Sequence, residues 1–335
     1  MIAILNGADF SENNVGRITI PVELSDWTLA TIAMYANYPW NDEKRNALEM
    51  FYRSLVTEGI MEKMEYLAFP ILATTFNEAI NNTIAQGQNI TNVGQSDKYE
   101  VIVGKGISRI AAINKPDDLA YASPERDSFL SEFHIAFCTT TSVPDNGSVY
   151  SNTVAKNLES QNSSILALNQ CVFGFGSSTL SMGFRGLVDR GDMNKTQFFN
   201  INPYMFPGVN PNLVPPLRVL KSDKNFANIP TTFVGYATND TCGFSIGEQQ
   251  IVSESLVPDD PESTNATKIA FRPNYENKDN PLKRRVYINL QPFIIDDQWF
   301  CQKFGILSFG YPLNDTQNIS YQKAISQLVD AVKIN

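Results

Sequence analysis

The sequence predicts a mainly β protein: a sandwich of many short strands preceded by a small helical N-terminal unit. Three observations predict it. From about residue 90 onward, apolar residues come in short runs separated by Asn, Gly, Pro and Ser, the punctuation of a many-stranded sandwich. Asparagine supplies 33 of the 335 residues, as expected of a chain rich in turns, where a short polar side chain can bond its own backbone. Between residues 41 and 85, by contrast, apolar residues recur at helical spacing.

Residues 1–40 read as a strand and loop segment. Asn6-Gly7-Ala8-Asp9 and Asn13-Asn14-Val15-Gly16 are turn-like, and Ile18, Ile20 and Val22 alternate on one strand face. Residues 41–85 read as a helical attachment unit. Asn41 is placed to cap a helix with Asp42 and Glu43 in its first turn, where the helix dipole favours acids. Ala47, Leu48, Phe51 and Leu55 form its apolar stripe and Gly59 ends it. Further short helices are expected over 61–67 and 76–84, separated by Pro70.

Residues 86–335 read as the sandwich. Strands are expected at 99–103, 129–138, 149–152, 163–168, 171–175, 180–184, 233–236, 244–247, 268–271, 285–290 and 304–309. In the second of these, Phe129, Phe133, Ile135 and Phe137 share a face and His134 lies opposite. The stretch 195–230 carries Pro203, Pro207, Pro211, Pro215, Pro216 and Pro230 and reads as a long surface loop. A closing helix over 316–333 is marked by Asn314 at its N-cap with Gln317 three residues on. Its stripe of Tyr321, Ala324, Ile325, Leu328 and Val332 is expected to pack against a sheet edge, or else a partner subunit.

The composition removes several function classes. A net charge of −9 disfavours a nucleic-acid surface, which needs a basic face. A single histidine rules out a multi-histidine metal site, and no G-x-S-x-G accompanies His134 to make a hydrolase triad. Gly104-Lys105-Gly106 is a turn rather than a phosphate loop, and Gly174-Phe175-Gly176 lacks the third glycine of a dinucleotide site. No apolar run approaches the roughly 18 residues of a membrane helix, and no cleaved leader is expected. Cys138, Cys171, Cys242 and Cys301 are widely spaced among apolar residues and read as buried free thiols. Asp259-Asp260-Pro261-Glu262 and Asp296-Asp297 read as solvated turn charges. With asparagine carbonyls they are the chain's weak candidates for a structural Ca²⁺, and otherwise no cofactor is expected.

More specific is the stretch Phe304-Gly305-Ile306-Leu307-Ser308-Phe309-Gly310-Tyr311-Pro312-Leu313-Asn314-Asp315, followed by Ile319 and the closing helix. It resembles the end of laminin-G-like, concanavalin A-type jelly rolls, where a last strand leads through a turn into a helix. Thr231 to Tyr236 followed by Phe244-Ser245-Ile246-Gly247-Glu248 is similar to that family's central hairpin, with Ile246-Gly247-Glu248 in place of its V-N-G-like turn. Near the N-terminus, Ala8-Asp9-Phe10-Ser11, Asn14-Val15-Gly16 and Ile18 are similar to a D-F-S-x-N-x-x-G stretch. This stretch, followed by a helical pair at 41–63 and by Leu119-Ala120-Tyr121-Ala122, resembles virion proteins from tailed phages of Bacteroides-type gut bacteria, including crAss-like phages.

The resemblance implies a concanavalin A-like jelly roll and a non-enzymatic structural role on the virion exterior, as head fibre, collar or tail-fibre component. Expected partners are capsid, portal, collar or tail proteins, together with further copies of the chain, a trimer being the expected oligomer. The expected location is the virion, after assembly in the host bacterial cytoplasm. An alternative is a carbohydrate-binding adhesin that contacts a host surface glycan. Tyr204, Phe206, Tyr275 and Trp299 are its candidate stacking rings, because aromatic faces stack on sugars. A glycoside hydrolase is a remote third reading. It would need two carboxylates about 5–10 Å apart, and Asp296 and Asp297 are the remaining candidates.

Overall fold

A computed structural model of the chain describes residues 23–84, 96–109, 121–122, 133–141, 171–177, 180–185, 196–201, 218–222, 230–237, 241–247, 250–255, 286–288, 293–295, 298–300 and 303–334. Among these residues the protein is mainly β, with a few helices. The main sheet is antiparallel. It comprises β1 (Met64–Ala68), β2 (Tyr99–Ile102), β3 (Gly106–Arg109), β5 (Phe133–Thr139), β10 (Thr232–Ala237), β11 (Thr241–Ile246), β12 (Gln250–Ser255) and β16 (Phe304–Gly310). Seven of them run in the order β12-β11-β10-β5-β16-β3-β2, and β1 pairs with β16 beside β3. A second antiparallel sheet has the order β4-β13-β6-β7-β8-β9. Its strands are β4 (Tyr121–Ala122), β6 (Cys171–Ser177), β7 (Leu180–Arg185), β8 (Thr196–Ile201), β9 (Arg218–Ser222) and β13 (Val286–Ile288). A separate hairpin joins β14 (Phe293–Ile295) to β15 (Gln298–Phe300).

Strands β5 and β16 are buried on both faces along their whole length. The pleat sorts their side chains into two layers. Phe137, Ile135, Phe233, Leu307 and Phe309 occupy one face, with ring centroids 4.8 Å apart for Phe137 and Phe233. Cys138, Ala136, His134, Val234, Ile306 and Ser308 occupy the other. The register between β16 and β5 shifts by one residue between Phe304 and Ile306. This bulge returns Phe304 to the aromatic face, 5.4 Å from the Phe137 ring.

Helices α2 (Asp42–Thr57) and α4 (Asp315–Val332) cover the second face, α1 (Asp26–Met34) packs on α2, and the single turn of α3 (Phe76–Ala79) sets Phe76 against Tyr99 of β2 on the first face. Asn41 Oδ1 accepts from Lys44 N at 2.9 Å and caps α2 as expected. Gly59, at φ +63°, ends that helix. Ile60 N donates to Leu55 O at 2.7 Å and Gly59 N to Val56 O at 3.1 Å, the paired bonds of a Schellman ending. Asn314 and Gln317 form the expected capping box on α4.

The structure departs from the sequence reading in five places. The 1–40 stretch holds helix α1 within its strand and loop segment, because the buried face of α1 is Thr28 and Thr31 rather than an apolar stripe. The helix expected over 61–67 is a 3₁₀ turn at Met61–Lys63 followed by β1, whose short apolar run suits either structure until β16 pairs with it. The helix expected over 76–84 stops at Ala79. Asn82 Oδ1 then accepts from Leu67 N at 3.1 Å, and Thr83 N donates to Leu67 O at 2.8 Å, so this segment closes the free edge of β1. The proline-rich 195–230 stretch contains β8 and β9. Pro203 through Pro216 all fall between those strands and interrupt neither. Finally, α4 lies on the face of the main sheet, not at its edge, with the Tyr321 hydroxyl 2.6 Å from Ser308 Oγ.

The stretch 41–85 shares one hydrophobic core with the main sheet. Leu48, Phe51 and Tyr52 of α2 pack in the same cluster as Ile135, Leu307 and Ile325. The strands expected at 149–152, 163–168 and 268–271 lie outside the described residues, as does the resemblance-bearing segment 8–18. No helix among the described residues is long and apolar enough to cross a membrane.

The turn after β2 shows how tightly the main sheet is drawn. Gly106 sits at φ +102°, and a β-carbon there would lie 2.1 Å from Phe304 O. Gly247 sits at φ +60° with nothing nearer than 3.8 Å. Gly106→Ala is therefore expected to cost about 2–4 kcal/mol in chemical denaturation and Gly247→Ala only about 1 kcal/mol, since only the first adds a backbone collision to the conformational penalty.

Candidate functional site in the helical layer

The helical layer is where the N-terminal unit meets the sheet, and polar groups hold it together. Glu49 of α2 is fully buried. Its carboxylate accepts from Ser25 N at 2.8 Å, Ser25 Oγ at 2.8 Å and Thr28 Oγ1 at 2.7 Å, all at the start of α1. Arg53, one turn further along α2, donates Nε to it at 2.6 Å and reaches Glu23 O at 3.0 Å. The acid thus sits against the N-terminal end of α1, where backbone N–H groups lack helical partners. Burial alone would raise its pKa, but the bonds from Ser25, Thr28 and Arg53 outweigh burial and lower it from 4.5 to about 2.

Buried phenols continue the pattern. Tyr35 Oη accepts from Phe69 N at 3.2 Å, Tyr52 Oη lies 2.6 Å from Thr31 Oγ1, and Tyr66 donates to Ile80 O at 3.0 Å. Tyr38 donates to Val332 O and pins the end of α4 beside the start of α2. Burial pushes the Tyr38 and Tyr52 phenols up to about 12 and those of Tyr35, Tyr66 and Tyr321 upward as well, so all five stay neutral. Burial likewise raises the Cys138 thiol to about 12 and keeps it protonated. The five phenols work as hydrogen-bonding bolts within the layer.

His134 lies on β5 opposite the phenylalanines, as the alternation predicts, and is fully buried. Its Nδ1 is 2.5 Å from Tyr311 O. A carbonyl only accepts, so Nδ1 carries the proton. The ring stands edge-on to Tyr321 at 6.2 Å.

The outer side of the layer is different. Leu29 on α1 and Met50 and Val56 on α2 are 50%, 61% and 56% exposed. Tyr311 and Ile319, on either side of the α4 N-cap, are also large apolar side chains left to solvent.

Of the ring candidates, Trp299 belongs to β15 and pairs in register with Ile294. Tyr204, Phe206 and Tyr275 lie outside the described residues, as do Asp259, Asp260, Glu262, Asp296 and Asp297. Among the described residues no three His, Cys, Asp or Glu side chains group as metal ligands. Cys171 and Cys242 fall in β6 and β11, and Cys301 lies outside the described residues. Sequence reasoning missed Glu49. Its signal is an acid inside an apolar stripe, between Leu48 and Phe51, with Arg53 four residues on.

The Glu49 carboxylate ties stability to pH. Its pKa is lower in the folded chain than in the unfolded one, so its contribution is complete above pH 4.5 and is lost as pH falls toward 2. The depression corresponds to about 3 kcal/mol. Glu49→Gln is expected to lower stability by roughly that amount at pH 7 in urea denaturation. The gap between wild type and variant should close on acidification to pH 2. Arg53→Ala, at a half-exposed partner, should cost under about 1 kcal/mol.

No protein-family model matches the chain, and no curated protein matches it in sequence.

Proposed function

We propose that this chain is a structural protein of a tailed-phage virion, carried on the particle exterior as a head fibre, collar or tail-fibre component. In this reading it has no catalytic role, and its β portion is a concanavalin A-like jelly roll. It assembles through its N-terminal helical region with capsid, portal, collar or tail proteins and with copies of itself, as a trimer.

The observation that carries the reading is the two-sided character of α1 and α2. Their inner side is locked by Glu49 and Tyr52, which bond α2 to α1, and by the apolar cluster shared with the sheet, while their outer side leaves Leu29, Met50 and Val56 in solvent. A rigid layer with apolar outer positions suits attachment to a partner. The motif at 9–16, the asparagine-rich turns and the employment of the buried titratable groups in structural bonds support the same reading.

Mass spectrometry of purified particles should find the chain at stoichiometric copy number, and light scattering of the purified protein should give a trimer. A monomer absent from particles would overturn the proposal. Met50→Glu with Val56→Glu should leave denaturation midpoints nearly unchanged, as for surface substitutions within about 0.5 kcal/mol, yet reduce incorporation into particles several-fold. Binding to host polysaccharides on a glycan array, without particle association, would favour the carbohydrate-binding reading instead.

A further inference from the structure

The interface between α4 and the main sheet contains more polar atoms than its hydrogen bonds use. Two anchors set the helix in place: the Tyr321 hydroxyl meets Ser308 Oγ at 2.6 Å, and Gln322 Nε2 donates to Ser245 Oγ. Ser245, Val234, Ala136 and Ser308 lie opposite one another across β11, β10, β5 and β16 and form one row on the helix-covered face. The next row on that face, two residues along each strand, is Gly243, Tyr236, His134 and Gly310.

The course of α4 relative to these rows follows from its ends. It starts beyond Gly310, and its tail returns to the other end of the sheet, where Ile334 N donates to Gly104 O at 3.2 Å. Asn318 precedes Gln322 by four residues, about one helical turn or 5–6 Å. Rows on one face of a strand are spaced by about 7 Å. Asn318 therefore comes over the Tyr236–His134 row when Gln322 sits at the Ser245–Ser308 row.

Asn318 is wholly buried, and neither its Nδ2 nor its Oδ1 has a partner. Gln322 Oε1 is likewise buried without one. Turning the Gln322 amide would exchange an orphan oxygen for an orphan nitrogen and leave the deficit intact. Buried polar atoms are satisfied by protein or by ordered water in the great majority of cases. At β11, Gly243 adds no side chain to its row and Ser245 only a small one.

We propose that α4 docks on the sheet through ordered water held by Asn318 and Gln322 above the Gly243–His134 row. The occupant is small and neutral and both donates and accepts, because the atoms it completes are one amide N–H donor group and two amide oxygens. Two anchors and a water-filled seam fix the register of α4. A slide by one turn would break both anchors and strand the water.

The test is a crystal structure of the full chain at a resolution that shows water. Density within hydrogen-bonding distance of the Asn318 amide and Gln322 Oε1 is expected. A dry seam, or an Asn318 amide bonded to protein, would overturn the proposal. In solution, long-lived water should give cross-relaxation to the Asn318 side-chain N–H protons, and its absence counts equally against the idea. Asn318→Leu should lower Tm by stripping a partner from the water and from Gln322. A raised Tm would show a dry, orphaned amide and refute the proposal. If that variant does not fold, the wild-type measurements decide alone.

Discussion

Strand β16 forms backbone hydrogen bonds along both of its edges. On one side Ile306 to Gly310 pair with β5, and on the other Met64 to Ala68 of β1 and Ile107 of β3 meet it end to end. Segments separated by more than two hundred residues thus converge on one strand of seven. The demand is strict enough to show in the glycines. A β-carbon on Gly310 would lie 1.9 Å from Lys63 O, and one on Gly305 would lie 2.6 Å from Thr140 Cγ2 and 3.2 Å from Cys138 Sγ. The bulge at Gly305 keeps Phe304 with the aromatic layer, and the strand then runs through Tyr311 and Leu313 into α4.

The helical layer depends on that strand and is fastened by polar groups. Apolar packing of α2 against α4 is non-directional and would tolerate sliding. The Glu49 bonds to Ser25 and Thr28, the Tyr38 bond to Val332 O and the Tyr321 bond to Ser308 allow one arrangement only. Glu49, Thr28, Tyr38, Tyr321 and Ser308 are buried and would carry a desolvation penalty if their partners moved. The layer is consequently a rigid platform on the sheet, and its apolar outer positions are presented at fixed spacing. That is the physical content of the attachment role proposed for it.

Much of the candidate site was hidden from sequence for a specific reason. Helix α1 turns Thr28 and Thr31 inward, and a threonine stripe has no hydrophobic period to detect. Its buried face makes sense only beside Glu49 and Tyr52, which are about twenty residues away in the chain. Asn82 has the same character. It looks like a turn residue in a run of asparagines, yet its amide bonds Leu67 N and Glu65 O and seals a strand edge. The prolines at 203–216 suggested a loop throughout 195–230, but they lie between two strands that local composition could not reveal.

The sequence by itself determined the mainly β character, the capped helix at Asn41 to Gly59, the closing helix with its Asn314–Gln317 box, and the alternation that sets His134 against the phenylalanines. These are local properties: caps, glycine endings and residue periods act within a few positions of the chain. Only the tertiary structure decided that Met64–Ala68 is a strand, that α4 lies on the face of the sheet, and that Glu49 remains ionised in the interior. A short apolar run takes its conformation from the edge it pairs with, and a buried acid stays charged only where distant donors converge on it.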